Sequence, residues 1–334
     1  FEVLNDRGLE LSVSDLLKNY IFRIASDKVA EAQQHWTSMT SRLEASGVEE
    51  KNLKTFIRHV WASTHGLTRE KNLYEAIRKI VTGMQRAVDF AAELNEQACI
   101  YAALDNPNDE FWKQYGAPVR EAVDTLQLLK AVQIRPLVLA VLRRFDISET
   151  RRALPMLVCW TVRFTITGKL GSGPLESGYA DRAKDVSAGE IKTAKHLFDA
   201  SKGFLTGDGD FEAAFATARI SAHYLGRFYL RVLEKQYVSI DSAELIVNPS
   251  EEVVTLEHIM PQTREPHWIN VNSEEHQAGM KRLGNLALLD KDLNEKGGNQ
   301  PFAQKRITYL SSRIALTREI AKHQTWGATE IDQR

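Results

Sequence analysis

A glutamate and a histidine stand side by side in Leu256-Glu257-His258-Ile259-Met260-Pro261-Gln262, directly after the β-branched run Val253-Val254-Thr255. Two asparagine-bearing segments follow, Arg282-Leu283-Gly284-Asn285-Leu286 and Leu293-Asn294-Glu295-Lys296-Gly297-Gly298-Asn299, and then Lys305. These residue types suit phosphodiester hydrolysis. That reaction needs a water nucleophile, a base to take its proton, and positive charge near the oxygens that become more negative in the transition state. The imidazole of His258 can serve as the base near neutral pH. A carboxylate and a neutral amide oxygen, from Glu257 and a downstream asparagine, can hold a hard divalent cation that keeps several waters. Adjacent residues on a strand point to opposite faces, so Glu257 and His258 share a site only if the backbone turns, and Pro261 supplies a reason for it to leave the ladder.

The same residues also have plainer uses. A lone Glu-His at a strand end is usually a surface pair or a satisfied structural histidine. Asn285 after Gly284 reads equally as a turn residue, and Asn294 with Gly297 and Gly298 as a helix stop or a hairpin loop. His267, His276 and His323 lack comparable neighbours and read as surface or loop histidines, with His276 the one worth testing as an accessory phosphate contact. The local basic residues that could meet phosphate are Lys281, Arg282, Lys305 and Arg306. Lys305 and Arg306 are neighbours on an expected helix, diverge by about 100°, and need not share a ligand. Trp268 and Trp326 have rings that could stack on bases, but their patterns favour core packing.

The elements that must position these residues fall into two kinds. Ser12 or Ser14 before Leu16, Leu17, Tyr20, Ile21 and Ile24 predicts a capped helix, preceded by a turn at Asn5-Asp6-Arg7-Gly8. Helical spacing then predicts helices over 27–45, 52–63, 72–102, 118–145, 149–167, 187–200 and 221–237, with loops at Asn106-Pro107-Asn108, Gly168 to Pro174 and Gly207-Asp208-Gly209-Asp210. Asp208 and Asp210 lack the twelve-position pattern of a calcium loop and read as a solvent-exposed turn. Near Asp241 to Glu252 the pattern changes, and Val253 onward predicts a strand, Leu286 to Leu289 a second, and 301–323 a helix. The fold class is therefore mostly α: a multi-helix domain followed by a small α+β, ββα-type domain.

Composition limits the function classes. The 334 residues carry 43 Lys and Arg against 44 Asp and Glu, a net charge of -1, so there is no bulk attraction to a polyanion and any phosphate contact must be local. Cys99 and Cys159 are far apart, which excludes a disulfide framework and a cysteine-based zinc knuckle. No apolar run reaches the length of a membrane span, and the expected location is the cytoplasm. The start at Phe1, without a signal segment, reads as a cut.

In type and order the tail resembles the HNH, or ββα-metal, nucleases, and more closely the C-terminal domain of the GmrS/GmrD-type modification-dependent restriction endonucleases of bacterial phage defence. Glu257-His258 match the acid-His pair that ends the first strand, Gly284-Asn285-Leu286 the start of the second, and Asn294 a later asparagine that opens the helix. Asn299, Pro301-Phe302, Lys305 and the ending from Trp326 to Arg334 extend the likeness over 250–334. The resemblance implies His258 as general base, Glu257 and Asn294 on the side of a Mg²⁺ or Mn²⁺ ion, Asn285 holding the loop or the imidazole, and Lys305 near the phosphate. It departs from a common HNH form in having no paired cysteines for zinc and an Asn where the last metal residue is often His.

Phe1 to Phe22, with Asp15-Leu16-Leu17-Lys18-Asn19, is similar to the end of the ParB-like N-terminal module of the same enzymes. Nucleotide would enter only through residues ahead of Phe1. The domain expectation is thus 1–25 as the end of that module, 26–245 as a helical scaffold, and 250–334 as the HNH-like domain. The function implied is a divalent-metal DNA endonuclease of an anti-phage restriction system acting on phage DNA, with dependence on base modification and self-association both left open. The alternative is an HNH-like domain with little catalysis in a DNA-binding or regulatory protein. RNA cleavage is a third reading, since this chemistry needs no 2′-hydroxyl.

Overall fold

The structure is a computed structural model that describes residues 12–168, 172–238, 250, 252–264, 266–269 and 271–334. The expected turn at Asn5 to Gly8 and the change of pattern over 241–249 lie outside the described residues. The chain divides into two compact units, Phe1–Thr206 and Gly207–Arg334. It is mostly α-helical and ends in a small α+β region, as the periodicity predicts.

The first unit is helical: α1 (Val13–Ala25), α2 (Val29–Ala45), α3 (Leu53–His65), α4 (Glu70–Ile80), α5 (Met84–Ala103), α6 (Ala117–Leu128), α7 (Arg135–Arg144), α8 (Ile147–Thr167), α9 (Ser172–Ser187) and α10 (Ala194–Ser201). Ser12 caps α1, accepting the Asp15 backbone N–H at 3.1 Å, while the Asp15 carboxylate reaches back to Ser12 N–H. Leu17 and Ile21 of α1 are fully buried in the unit's core, and the helix packs on α2 and α5. α1 is thus an integral part of the bundle. α2 lies along α5, α7 along α9, and α6 along α8.

In this unit two predicted helices each break in two, and one helix forms where the spacing predicts none. The 72–102 helix is two helices, broken at Val81-Thr82-Gly83, where Gly83 has φ +82°. The 118–145 helix also breaks, with Lys130 at φ 53°. α9 was not expected at all. Its Gly173 and Pro174 look like loop residues in sequence, but proline is tolerated in a first helical turn, where its missing N–H has no intrahelical acceptor.

His59 in α3 is buried, and its Nδ1 lies 3.0 Å from the Tyr101 hydroxyl. Burial, then the charges of Arg58 and Arg135, lower its pKa to about 3. An unfolded histidine takes up a proton below about 6.5, so the unfolded state binds more protons from there down to about 3, and stability falls as the pH falls through that window. Between pH 7 and 5 the loss depends only on the unfolded value and is about 2 kcal/mol. Urea unfolding of the helical unit should show this loss in the wild type and its near-absence in His59→Gln. Equal pH slopes in the two proteins would show that His59 is not the titrating group.

The second unit contains α11 (Asp208–Ala216), α12 (His223–Val238), β1 (Val254–His258), α13 (Ser273–Gly279), β2 (Leu286–Asp290), α14 (Lys291–Gly297), α15 (Phe302–Leu310), α16 (Ala315–Ile320) and α17 (Ala328–Gln333). β1 and β2 are antiparallel, with Glu257 opposite Ala287 and His258 opposite Leu286. The unit therefore starts well before the change of periodicity near 250 and takes in two helices from the segment read as scaffold. α12 is joined to it by packing on both strands and on α16. Gly226 permits the close approach to the sheet, since a Cβ there would lie 3.0 Å from Leu256 Cδ2. Glu234 of α12 also accepts the backbone N–H groups of Ala315 and Leu316 at 2.7 and 2.8 Å, which caps α16. Asp208 and Asp210, read as an open turn, begin α11, where acidic groups complement the helix N-terminus. The 301–323 helix is likewise two, α15 and α16.

Candidate active site

Glu257 and His258 end β1; strand alternation sends their side chains to opposite sides, yet at the strand end both border one cleft. Glu257 faces the core of the second unit and is 6% exposed. Its Oε1 accepts from Lys305 Nζ at 2.6 Å and from the Tyr309 hydroxyl at 2.8 Å. Lys305 and Tyr309 are four residues apart on α15, so one helix face presents both donors to the carboxylate. Burial, and then the charge of Glu257, push the Tyr309 hydroxyl pKa well above 10.0.

Lys305 is 1% exposed and also donates to the His258 backbone carbonyl at 2.9 Å. Its ammonium is thus committed inside the protein, where it neutralises Glu257 and pins the end of β1. The sequence reading put Lys305 at a phosphate; the contacts it makes are internal.

His258 lies on the other face, partly buried. The Gln262 side-chain amide donates to its Nε2 at 3.3 Å, so that nitrogen carries a lone pair. Burial first, then the neighbouring charges of His223 and Lys305, lower the His258 pKa to about 4. The ring is therefore neutral around pH 7 and able to accept a proton. The His223 ring, at the start of α12, has its centroid 6.1 Å away.

Asn285 is fully buried and holds the segment that follows His258. Its Oδ1 accepts the Met260 N–H at 2.8 Å, its Nδ2 donates to the Met260 carbonyl at 2.8 Å, and its backbone carbonyl accepts the Ile259 N–H at 3.0 Å. The Trp326 indole N–H donates to the same Oδ1 at 3.0 Å. Of the two roles implied for Asn285, holding the loop or the imidazole, its contacts match the loop. Gly284 beside it lets the C-terminal helix close over this staple, because a Cβ there would sit 2.2 Å from the Ile331 carbonyl oxygen.

His276, read as a surface histidine and a test case for phosphate, is instead buried, and its Nε2–H donates to the Pro261 carbonyl at 2.7 Å. It anchors the same loop. Trp268 and Trp326 are both core residues, as their patterns predict.

Asn294 sits in the middle of α14 and does not open it. Its Nδ2 donates to Thr255 Oγ1 at 2.7 Å, which ties α14 to β1 in a ββα arrangement. That use of the amide nitrogen leaves the orientation of Oδ1 set as well. An open cleft of ≈ 300 Å³ is lined by Glu257, His258, Gln262, Asn294, Asn299 and Lys305, among others, so four of the five sequence candidates meet there and Asn285 supports them from beneath.

Among the described residues no group of three or more His, Cys, Asp or Glu side chains is placed to hold a metal ion. The oxygen donors lining the cleft include one carboxylate, Glu257, and the side-chain amides of Gln262, Asn294 and Asn299, a set that fits a hard divalent cation retaining most of its water and does not fit a structural zinc site. Lys305 cancels the charge of Glu257, so cation affinity should stay low until a phosphate adds its own charge.

Residues 205–334 match the family model described as GmrSD restriction endonucleases, C-terminal domain. This region is similar to a nuclease family. The match begins at about the place where the second compact unit begins, so α11 and α12 belong to the GmrSD-like segment along with the strands. A search of curated proteins found no match.

Sequence reasoning missed Tyr309, Gln262, Thr255 and His223. Tyr309 had a legible signal, its four-residue spacing from Lys305. His223 had none, since only tertiary packing brings α12 beside β1.

Proposed function

We propose that the second unit hydrolyses phosphodiester bonds in DNA, with His258 taking the proton of the attacking water. The observation that carries this reading is a neutral imidazole at a strand end, opening onto a cleft that also holds a carboxylate and an amide oxygen. Glu257, through the oxygen that Lys305 does not use, and Asn294 would hold Mg²⁺ or Mn²⁺. Such an ion, when bound, supplies positive charge to the phosphate and the leaving oxygen. Gln262 orients the His258 ring, Asn285 and His276 hold the loop behind it, and Lys305 holds Glu257 in place.

DNA as substrate and a place in a restriction system rest on the likeness to GmrSD restriction endonucleases. Nucleotide control through an upstream module, action on base-modified phage DNA, self-association and a cytoplasmic location are part of the same proposal. A second reading has one observation behind it. Glu257 is already paired, which suits an HNH-like domain that binds DNA and cuts little.

The test is incubation of the intact protein with plain and base-modified DNA, and with RNA, in Mg²⁺, in Mn²⁺ and in chelator. Cleavage of DNA that requires the ion, and that falls by about 10- to 100-fold in Asn294→Ala as expected for loss of one ligand-side group, supports the proposal. DNA binding without ion-dependent cleavage favours the second reading, and cleavage of RNA alone overturns the substrate assignment.

A further inference from the structure

His258 stands where two clefts meet. The first holds Glu257 and Asn294. The second, ≈ 240 Å³, shares Leu256, His258 and Gln262 with the first and continues along Ser221, His223 and Lys281. Its walls come from the chain entering α12 and from the link between α13 and β2. They are joined by Ile220 N–H donating to the Lys281 carbonyl at 2.7 Å and Leu283 N–H to the Ala218 carbonyl at 2.8 Å.

The basic groups nearby are not equally available. Lys305 is buried on Glu257. Arg219 donates to the carbonyls of Gln277 and Ala278, Arg282 to Ala216 and to Asp332, and Arg306 to Ala321 and Gln324. Lys281 is exposed and, among the described residues, forms no ion pair with a carboxylate. His223 is exposed too, with its ring toward His258. Among the described residues no acidic side chain lines this cleft, so an anion entering it meets a lysine, an imidazole and a hydroxyl.

We propose that the second cleft seats the phosphate one nucleotide away from the scissile one, with the Lys281 ammonium and the His223 imidazole as its contacts. The inference rests on the hydrolase reading for the meaning of "scissile", and on the cleft itself for the binding. A polynucleotide strand lying in the first cleft has its next phosphate carried past His258 into the second, where Lys281 supplies charge and His223 and Ser221 supply hydrogen bonds. Such contacts position the strand and take no part in bond breaking. They should therefore act on KM and on the salt dependence of binding rather than on kcat.

The experiment uses the intact protein, a short fluorescein-labelled DNA duplex, and chelator to prevent cleavage, with affinity measured over a range of NaCl. Lys281→Ala should lower the slope of log affinity against log salt by about 1, the loss of one phosphate contact, while Lys202→Ala in the helical unit should leave it unchanged. In cleavage assays Lys281→Ala and His223→Gln should each raise KM by about tenfold with kcat within a factor of about two. Wild-type cleavage together with unchanged slope and KM in the combined Lys281→Ala and His223→Gln variant overturns this subsite and leaves the nuclease reading standing. A changed slope in a protein that cuts nothing keeps the subsite and removes the nuclease reading. Duplex affinity that does not vary with salt in the wild type overturns both.

Discussion

Replacing His258 with alanine should lower DNA cleavage by about 10²- to 10⁴-fold, the usual cost of removing a general base, while the protein stays folded and still binds DNA. The imidazole donates to no described protein acceptor and receives only the Gln262 amide at 3.3 Å, so its loss leaves no buried group without a partner. The stability cost should be within about 1 kcal/mol. His258 is neutral because it is partly buried beside His223 and Lys305, and it is the imidazole that lines the cleft. The measurement is single-turnover cleavage by the intact protein in Mn²⁺, with duplex binding and thermal unfolding followed on the same variant. Cleavage at the wild-type rate would take the base role away from His258. Retained folding and binding with cleavage lost would separate the base from the ion, because affinity for Mn²⁺ should not change.

Lys305→Met should destabilise the second unit by about 3–5 kcal/mol, the cost of leaving one member of a buried ion pair without its partner. Glu257 would remain 6% exposed, with only the Tyr309 hydroxyl against its charge. The carbonyl of His258 would lose its donor as well, so the end of β1 would loosen. Adding Glu257→Gln should recover much of the loss, since a neutral amide can still accept from Tyr309 and no longer needs a counter-ion. Native-state hydrogen exchange at the β1 and β2 amides reads this unit directly, apart from the helical one. Protection in Lys305→Met within about 0.5 kcal/mol of wild type would mean that Lys305 is not a structural cation, and its assignment to phosphate would return. Activity in the double variant would show in addition whether a carboxylate is needed at 257.

Much of this was legible in the linear sequence because its physical basis is local. The strand of β-branched residues before Glu257-His258, the second strand at Leu286, and the helical spacing of Leu17, Tyr20 and Ile21 depend on neighbours a few residues away. The order of Glu257, His258, Asn285 and Asn294 was enough to bring three of them to one cleft and the fourth beneath it. Residue chemistry also excluded a cysteine-based zinc knuckle, since the sequence holds two cysteines, Cys99 and Cys159, far from each other and from the strands.

Tertiary structure decided the rest. α9 forms despite Gly173 and Pro174 because its Tyr179, Ala183 and Val186 are buried in the core, and packing outweighs a weak local preference. The second unit begins at Gly207 rather than near 250 because α12 buries Tyr229 and Leu230 in that unit and sets Gly226 against the sheet. Lysine reads as surface charge in any sequence; burial at 1% exposure beside Glu257 made Lys305 an internal counter-ion, while Lys281 stays exposed at the second cleft. His223 reached His258 for the same reason. A residue's type and near neighbours state what chemistry it can do, but its partner is whichever group the packed chain brings within a few ångströms, and electrostatic and hydrogen-bond energies depend on that distance.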